Sequence, residues 1–516
     1  MPTITIDQRA LTVADDVTIL TAARQAGIPI PTLCHLEGCS PSTSCMVCVV
    51  KVQGQRHLLP ACATVVRDGM VIESESDEVR SARRTALELL LSDHLGDCRG
   101  PCQAACPAHA DLPAICRAIN AGQSAEAIIL LTARIPLPGV MGYICPAPCE
   151  KGCRRAQWDS AVALRDLERL VGEARLAAPA PLNLPALTGK CVAIAGAGPA
   201  GLSAAYYLRH LGIAATLFDS HDAPGGMLRT IFSEEQLPRR VLDGEIAAIL
   251  ATGVAFYPRM HVGREVTLET LRTDYDAVLL ATGQHRADDV PVLEGNDHGN
   301  GITVDRETLM TGMRGVFAVG SAVAPVRQAI RAIAEGRVAA RAIAVYLLGL
   351  KLFPHDRPLS VSHIGRLTSA ELAQLLELAN PAARSIPGAS DTATSEAARC
   401  LHCDCRKLAE CRLLAASLTF SASQQAFRGR SPRRVFTWDV SHADAIYEPG
   451  KCIACGLCIQ LAERYRDALG LTFIGRGFTV RVAVPDEAPL AAALREATQA
   501  CVDACPTGAL AYRKSR

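Results

Sequence analysis

Apolar and polar residues alternate with a period of two in TITIDQRALTV, residues 3–13, which predicts two short strands. VTILTAARQAG follows with apolar positions at helical spacing and a stop at Gly27, and SARRTALELLLS, residues 81–92, predicts a second helix. A Pro-rich linker at 176–189 marks a boundary. Beyond it KCVAIAGAGPAGLSAAYYLRHLG reads as a buried strand that turns through glycines into a helix, and AATLFD as the next strand. SAELAQLLELA predicts one helix between KLFPHDRPLSVSHIGRL and NPAARSIPGASDTATSEAAR, which read as a loose tether. No apolar run reaches the roughly 18 residues of a membrane span. The best, 338–350, contains Arg341. The start has no charged-then-apolar leader, so a cytoplasmic location is expected.

Length and charge narrow the class. A chain of 516 residues suggests several domains. Its 53 basic and 52 acidic residues leave a net charge of +1, which removes the basic footprint of a nucleic-acid binder. The 22 cysteines then carry most of the information. Without an export leader they are not a disulfide framework, which points to metal ligands. Five lie between Cys34 and Cys62, seven between Cys98 and Cys153, and nine between Cys400 and Cys505; Cys191 stands alone at the start of an apolar strand and reads as a buried small hydrophobe.

The first group is spaced Cys34-x10-Cys45-x2-Cys48-x13-Cys62, with Cys39 as a bystander; a plant-type C-x4-C-x2-C run finds a Ser where its first Cys belongs. With IPTLCHLEG and LLPACATVVRDGMVI around them, these four resemble the N-terminal 2Fe-2S domain of the complex I large iron-sulfur subunit and its formate dehydrogenase and hydrogenase relatives, which implies a β-grasp fold. A structural zinc is the alternative. The second group opens His94-x3-Cys98, as a His-ligated 4Fe-4S site does in the same complex I subunit. It continues Cys98-x3-Cys102-x3-Cys106-Pro107 and Cys145-x3-Cys149-x3-Cys153, which is similar to the helical two-cluster domain of the glutamate synthase small subunit and dihydropyrimidine dehydrogenase. That resemblance implies one cluster on Cys98, Cys102 and Cys153, completed by His94, and another on Cys106, Cys145 and Cys149, completed by Glu168. Cys116 reads as packing.

The third group divides. Cys400-x2-Cys403-x-Cys405-x5-Cys411 is compact enough for one 4Fe-4S cluster, with zinc the alternative. Cys452-x2-Cys455-x2-Cys458 keeps three ligands of a bacterial ferredoxin run but has Ala462 in the fourth position, while the second run keeps Cys501 and Cys505-Pro506 and has Arg495 and Thr498 in place of two Cys. Because the fourth Cys of each run binds the other cluster, Cys452, Cys455, Cys458 and Cys505 form one complete set and Cys501 is a relic.

Gly196-x-Gly198-Pro199-Ala200-Gly201 lies between strand and helix, with Asp219 about 20 residues on, which is the context of a dinucleotide-binding turn. APGGMLRTIF, with Gly225, Gly226 and Met227, extends the resemblance to the glutamate synthase small subunit and there implies FAD. DYDAVLLATG, ending at Gly283, and GVFAVGSAV, with Gly320 and Ser321, are similar to that family's later flavin segments, Ser321 standing where an Asp is usual. That family's nicotinamide-binding unit has no counterpart, since Gly283 and Gly301 are fewer than 20 residues apart and a βαβ unit needs about 30.

The fold expected is multidomain α/β and α+β: a 2Fe-2S β-grasp domain at 1–79, a helical two-cluster 4Fe-4S domain at 80–175, a Rossmann-like FAD domain at 189–350 and a C-terminal ferredoxin-like two-cluster domain at 396–516. One 2Fe-2S cluster, four 4Fe-4S clusters and FAD then make an electron-transfer subunit of a multi-subunit NADH-, formate- or hydrogen-linked oxidoreductase. By resemblance its partners are a complex I type NADH-binding flavoprotein and a metal-containing catalytic subunit. The alternatives are a self-sufficient NAD(P)H oxidoreductase and an iron-sulfur scaffold with a vestigial flavin fold. No nucleophilic catalytic set is recognisable.

Overall fold

The computed structural model describes residues 1–178, 183–284, 301–350, 360–386, 388, 390–429 and 433–513. The chain gathers into two compact units, both discontinuous in sequence. The first takes Met1–Arg99, Pro358–Glu377 and His402–Arg516; the second takes Gly100–Arg357 and Leu378–Leu401.

In the first unit the predicted alternation is realised. Ile4 and Ile6 of β1 (Thr3–Ile6) are buried while the threonines between them are not. β1 pairs antiparallel with β2 (Arg9–Thr12), and the sheet closes in the order β2-β1-β5-β3-β4 with β3 (Val49–Val52), β4 (Leu59–Pro60) and β5 (Val71–Glu73), β1 and β5 running parallel. Helix α1 (Ile19–Gln25), capped by the Thr18 hydroxyl, lays Ile19, Leu20, Ala22 and Ala23 on this sheet and ends before Gly27. Burying each of the two larger side chains is worth about 1.5–3 kcal/mol. Helix α2 (Asp77–Ser92) covers the predicted SARRTALELLLS and carries Arg83, fully buried, which donates to the Val49 carbonyl and to Glu75.

The second unit begins with α3 (Pro101–Ala105), α4 (Leu112–Asn120), α5 (Ser124–Thr132), α6 (Pro138–Ile144), α7 (Pro148–Lys151) and α8 (Leu164–Ala177). Helices α6 and α8 touch backbone to backbone: a Cβ on Gly172 would fall 2.2 Å from the Gly139 nitrogen. Only glycine permits that approach. The parallel sheet that follows has the order β10-β9-β6-β7-β8, from β6 (Cys191–Ala195), β7 (Ala214–Phe218), β8 (Ala255–Tyr257), β9 (Ala277–Leu280) and β10 (Val316–Ala318). Helix α9 (Pro199–His210) and the helix Ala329–Leu348 pack together beside it. Glu245, fully buried, joins the helical and sheet layers by accepting from the Gly139 and Val140 amides at the start of α6, both at 2.8 Å. Burial pushes its carboxyl up to about 7, against the pull of those two amides.

In the last segment of the first unit, β11 (Ala445–Tyr447) pairs with β14 (Leu510–Tyr512), β12 (Thr472–Ile474) with β13 (Arg481–Ala483), and the helices Leu457–Arg464 and Thr498–Ala504 pack against each other. The predicted helix in SAELAQLLELA is present as Ser369–Leu376, with a capping box between Thr368 and Glu371. No described helix is long and apolar enough to cross a membrane. The stretch between Gly283 and Gly301 and the start of the predicted tether lie almost wholly outside the described residues.

Candidate cluster and flavin sites

Cys34, Cys45, Cys48 and Cys62 are all buried, Cys48 and Cys62 in the core of the first sheet, and the Cys34 and Cys45 sulfurs are 3.3 Å apart. The Cys45 thiol draws Cys34 down to about 5, and the Cys62 thiol draws Cys48 down to about 7, each against the opposing effect of burial. The two partner thiols are correspondingly raised. Cys39 packs against both the apolar cluster of Cys34 and Cys45 and the C-terminal core.

Farther along the same unit, the structure brings Cys98 to Cys405 and Cys411. The Cys405 amide donates to the Cys98 carbonyl at 3.3 Å, and the Cys411 thiol feels both Cys98 and Cys405. Cys411 also caps the helix Arg412–Thr419, accepting from the Leu414 amide. His94, just after α2, is half-buried, with an enclosed Nδ1 that has no hydrogen-bond partner. Burial and the nearby Lys451 charge push it down to about 3, so its imidazole is neutral and able to bind a metal. Lys451 is itself buried, bonded to Glu448 at 2.7 Å, and stays charged because Cys405 and Glu448 outweigh the cost of burial. Cys403 falls in this unit, half-buried, two residues before Cys405.

The third set of this unit surrounds a cavity. Cys452, Cys455, Cys458 and Cys505 line one cavity with Tyr447, Pro506 and Thr507. Cys501 does not line it; its thiol points to the Cys458 carbonyl at 3.5 Å. Cys34 and Cys45 share a single apolar cluster with Cys411 and Cys455, so thiols of three sets meet in one core.

In the second unit, Cys106, Cys145 and Cys149 surround Glu168, whose charge raises all three beyond the effect of burial. Glu168 is fully buried on α8, and burial with the Glu150 charge raises it to about 8. Of the set the resemblance implied, Cys98 meets Cys405 and Cys411 within the first unit, and Cys102 and Cys153 belong to the second. They lie instead with Cys116, whose thiol is hydrogen-bonded to Cys400. Sequence spacing had placed Cys400 with Cys403, Cys405 and Cys411. Cys400 belongs to the second unit and the other three to the first.

The dinucleotide turn is built by close contacts. Gly196 has φ +106°, and a Cβ on Gly201 would lie 1.9 Å from the Gly196 carbonyl oxygen, so α9 can start only with glycine there. The Asp219 carboxylate, buried at the end of β7, accepts from the Ala197 amide at 2.7 Å and the His221 amide at 2.9 Å. Gly225 donates to the Ala197 carbonyl, and a Cβ on Gly226 would come within 2.9 Å of the Gly198 Cα. Met227 beside it is exposed, and Pro199 opens α9. Gly320, φ +70°, reaches Ala200 from the other side; its amide donates to Glu335, and the Ser321 hydroxyl accepts from the Val326 amide. Gly283, φ +84°, ends the stretch after β9 in open space. A helix N-terminus with this cradle fits a pyrophosphate.

Among the described residues no three or more His, Cys, Asp or Glu side chains converge where a metal ion could be held. Thiolates on one zinc stand about 4 Å apart, since each Zn–S bond is about 2.3 Å; the two thiolates on each iron of a 2Fe-2S cluster are similarly close, whereas a 4Fe-4S cluster takes each thiolate on a different iron. The Cys452 cavity and the unpartnered His94 nitrogen suit the larger cage, and the close Cys34 and Cys45 sulfurs suit two thiolates on one iron.

Parts of the chain are similar to known proteins. Residues 1–77 match a 2Fe-2S iron-sulfur cluster binding domain, residues 92–179 the 4Fe-4S domain II of dihydropyrimidine dehydrogenase, and residues 194–260 an NAD(P)-binding Rossmann-like domain. The beta subunit of the NADP(+)-dependent formate dehydrogenase of Moorella thermoacetica is 41% identical over 219 residues, which is 38% of this chain and 31% of that one. The small chain of the NADPH glutamate synthase of Bacillus subtilis is 32% identical over 209 residues, 40% of this chain and 42% of that one. Subunit HndD of the NADP-reducing hydrogenase of Solidesulfovibrio fructosivorans is 53% identical over 103 residues, 19% and 18% of the two chains. The chain is homologous to these oxidoreductase subunits. It spans less than half the length of each of them.

Two features beside these thiols have little signal in the sequence. Cys116 shares the apolar face of α4 with Leu112 and Ile115 and carries no local mark of a ligand. Arg155 and Arg399, both buried, hold Cys400 in place, and only their position beside Cys153 and Cys400 in the sequence hinted at it.

Proposed function

We propose that this chain is an iron-sulfur flavoprotein subunit that relays single electrons between FAD, its clusters and partner subunits of an oxidoreductase. The observation that carries this reading is the shared core of the first unit, where Cys34, Cys45, Cys411 and Cys455, from three ligand sets, pack in one apolar cluster. Cofactors held so close can exchange electrons through dry protein. In the second unit one core likewise spans Cys106, Cys145 and Cys149 and the sheet behind Gly196.

On this reading the clusters are one 2Fe-2S on Cys34, Cys45, Cys48 and Cys62, and four 4Fe-4S. Cys452, Cys455, Cys458 and Cys505 hold one, and Cys106, Cys145, Cys149 and Glu168 another. His94, Cys98, Cys405 and Cys411 hold a third, whose charge Lys451 offsets. Clusters and flavin supply the one-electron chemistry when bound; the protein fixes their ligands, keeps water from the thiols and aims the α9 amides at the pyrophosphate. A complex I type NADH-binding flavoprotein and a metal-containing catalytic subunit are the partners that suit such a relay.

Hydride transfer needs a nicotinamide held against the flavin, and that positioning can supply roughly 7–11 kcal/mol of the barrier. The fewer than 20 residues between Gly283 and Gly301 are too few for a second dinucleotide fold. Stopped-flow mixing of the FAD-loaded chain with NADH or NADPH tests this. Slow or absent bleaching, with rapid reduction by dithionite, is expected. Fast saturable reduction by either nucleotide would make the chain a self-sufficient dehydrogenase instead.

A further inference from the structure

We propose that Cys102, Cys116, Cys153 and Cys400 form a separate all-thiolate 4Fe-4S site in the second unit, with its last ligand delivered by the segment that follows the flavin domain. The inference rests on the cluster-bearing reading above.

Four elements supply the ligands. Cys102 lies on α3, Cys116 on α4, Cys153 just after α7, and Cys400 just after the helix Ser390–Ala397, which packs on α4. Cys116 is 1% exposed, and its thiol bonds to that of Cys400 with Cys102 and Cys153 next to it. All four belong to or pack against one apolar core. A thiol there could be simple packing. What argues against it is the apparatus that holds Cys400.

Two buried guanidinium groups lock the returning segment to the loop after Cys153. Arg155 donates to the Arg399 carbonyl at 3.2 Å and the Asn380 carbonyl at 3.0 Å while pairing with Asp159. Arg399 donates to Glu396 at 2.8 Å, to Asp159 at 3.1 Å and to the Ser160 carbonyl at 3.0 Å. Glu396 in turn accepts from the Ala163 and Ser385 amides, both at 2.8 Å. Desolvating two arginines costs several kcal/mol each before pairing offsets it, and buried ion pairs are a weak source of net stability. Such a clamp is better explained by placement than by stability. It fixes the residues on either side of it, Cys153 and Cys400, and puts two positive charges near a cluster that four thiolates make anionic.

The set also repairs a shortfall. Cys98 is engaged with Cys405 and Cys411, and Cys102 and Cys153 remain of the set that the resemblance implied for the first cluster. Cys116 and Cys400 bring it to four.

The test uses the full chain, purified and reconstituted anaerobically, with iron, sulfide, zinc and flavin measured alongside paramagnetic resonance of the reduced protein. Cys116→Ala and Cys400→Ala should each lose about four irons and the same signal, and the double variant should lose no more than either. Cys98→Ala should remove a different signal, so that Cys98→Ala with Cys400→Ala loses about eight irons. Cys116→Ser and Cys400→Ser, which keep the volume, should behave as the Ala variants while flavin content stays near wild type. Full iron in Cys116→Ser, one signal shared by the Cys98 and Cys400 variants, or stoichiometric zinc in the wild type would each overturn the proposal. Fast flavin reduction by NAD(P)H would sink the relay reading and leave these iron counts untouched.

Discussion

Gly508 is a sensitive probe of Cys405, although it ligates nothing. A Cβ at this residue would lie 2.3 Å from the Cys405 sulfur, against 3.0 Å as the closest approach that real Cβ atoms make, so in Gly508→Ala the sulfur must retreat by about 0.7 Å. Metal ligands tolerate displacements of about 0.2 Å. The backbone at Gly508 has no positive φ, so alanine adds no conformational strain of its own. The variant should therefore fold, keep its flavin and lose about four irons with the paramagnetic signal of the cluster held by His94, Cys98, Cys405 and Cys411. Gly312→Ala, where a Cβ meets nothing within 4 Å, is the neutral control. Measurement is iron per chain with resonance spectra at several temperatures. If Gly508→Ala retains every signal while Cys405→Ala loses one, the thiol has room to move and the geometric reasoning fails. If neither loses a signal, Cys405 is not a ligand.

Total iron in the fully loaded chain should approach about 18 per molecule, the content of one 2Fe-2S and four 4Fe-4S clusters. Cys505→Ala should lose or degrade one cluster, while Cys501→Ala, whose thiol does not line the cavity, should leave all signals intact; the reverse pattern would show the degenerate ferredoxin half misread. Glu245→Ala strands two buried amides, each costing about 1–3 kcal/mol, and should lower the thermal midpoint of the protein by several degrees. Because the Glu245 carboxyl titrates near 7 when folded and near 4.3 when unfolded, the folded state holds the extra proton between those values. Stability from this group is full below about 4.3 and lost as pH rises to about 7, and Glu245→Gln should flatten that part of a melting-point profile; an unchanged slope would reject it.

Local pattern carried the parts of this molecule that local physics decides. The alternation through Ile4 and Ile6, the stop at Gly27 and the strand-turn-helix at Gly196 to Gly201 each need only neighbours in sequence, and the structure has each. The ligand grouping in the middle of the chain is different. Cys98 and Cys405 are some 300 residues apart, yet hydrogen-bonded through their backbones. The entropy of closing a loop grows only with the logarithm of its length, so a long insertion between two ligands costs little and leaves no mark beside either. Spacing rules then assign Cys400 to its sequence neighbours, when the buried Arg399 beside it turns the chain toward Cys153. Cys116 is hidden for another reason, since a cysteine on an apolar helical face looks the same whether it packs or binds.

The split of the first unit bears on how the protein is made. His94 and Cys98 leave the ribosome early, but Cys405 and Cys411 follow only after the intervening unit has been translated. At about 5–20 residues per second that delay is on the order of 15 to 60 s. During it the early thiol and imidazole stand without partners, next to a nascent chain rich in other cysteines. On the proposed ligand sets, insertion of that cluster must wait until Cys411 has been made, whereas the 2Fe-2S ligands, complete by Cys62, can be filled earlier, which would give the protein a built-in order of maturation.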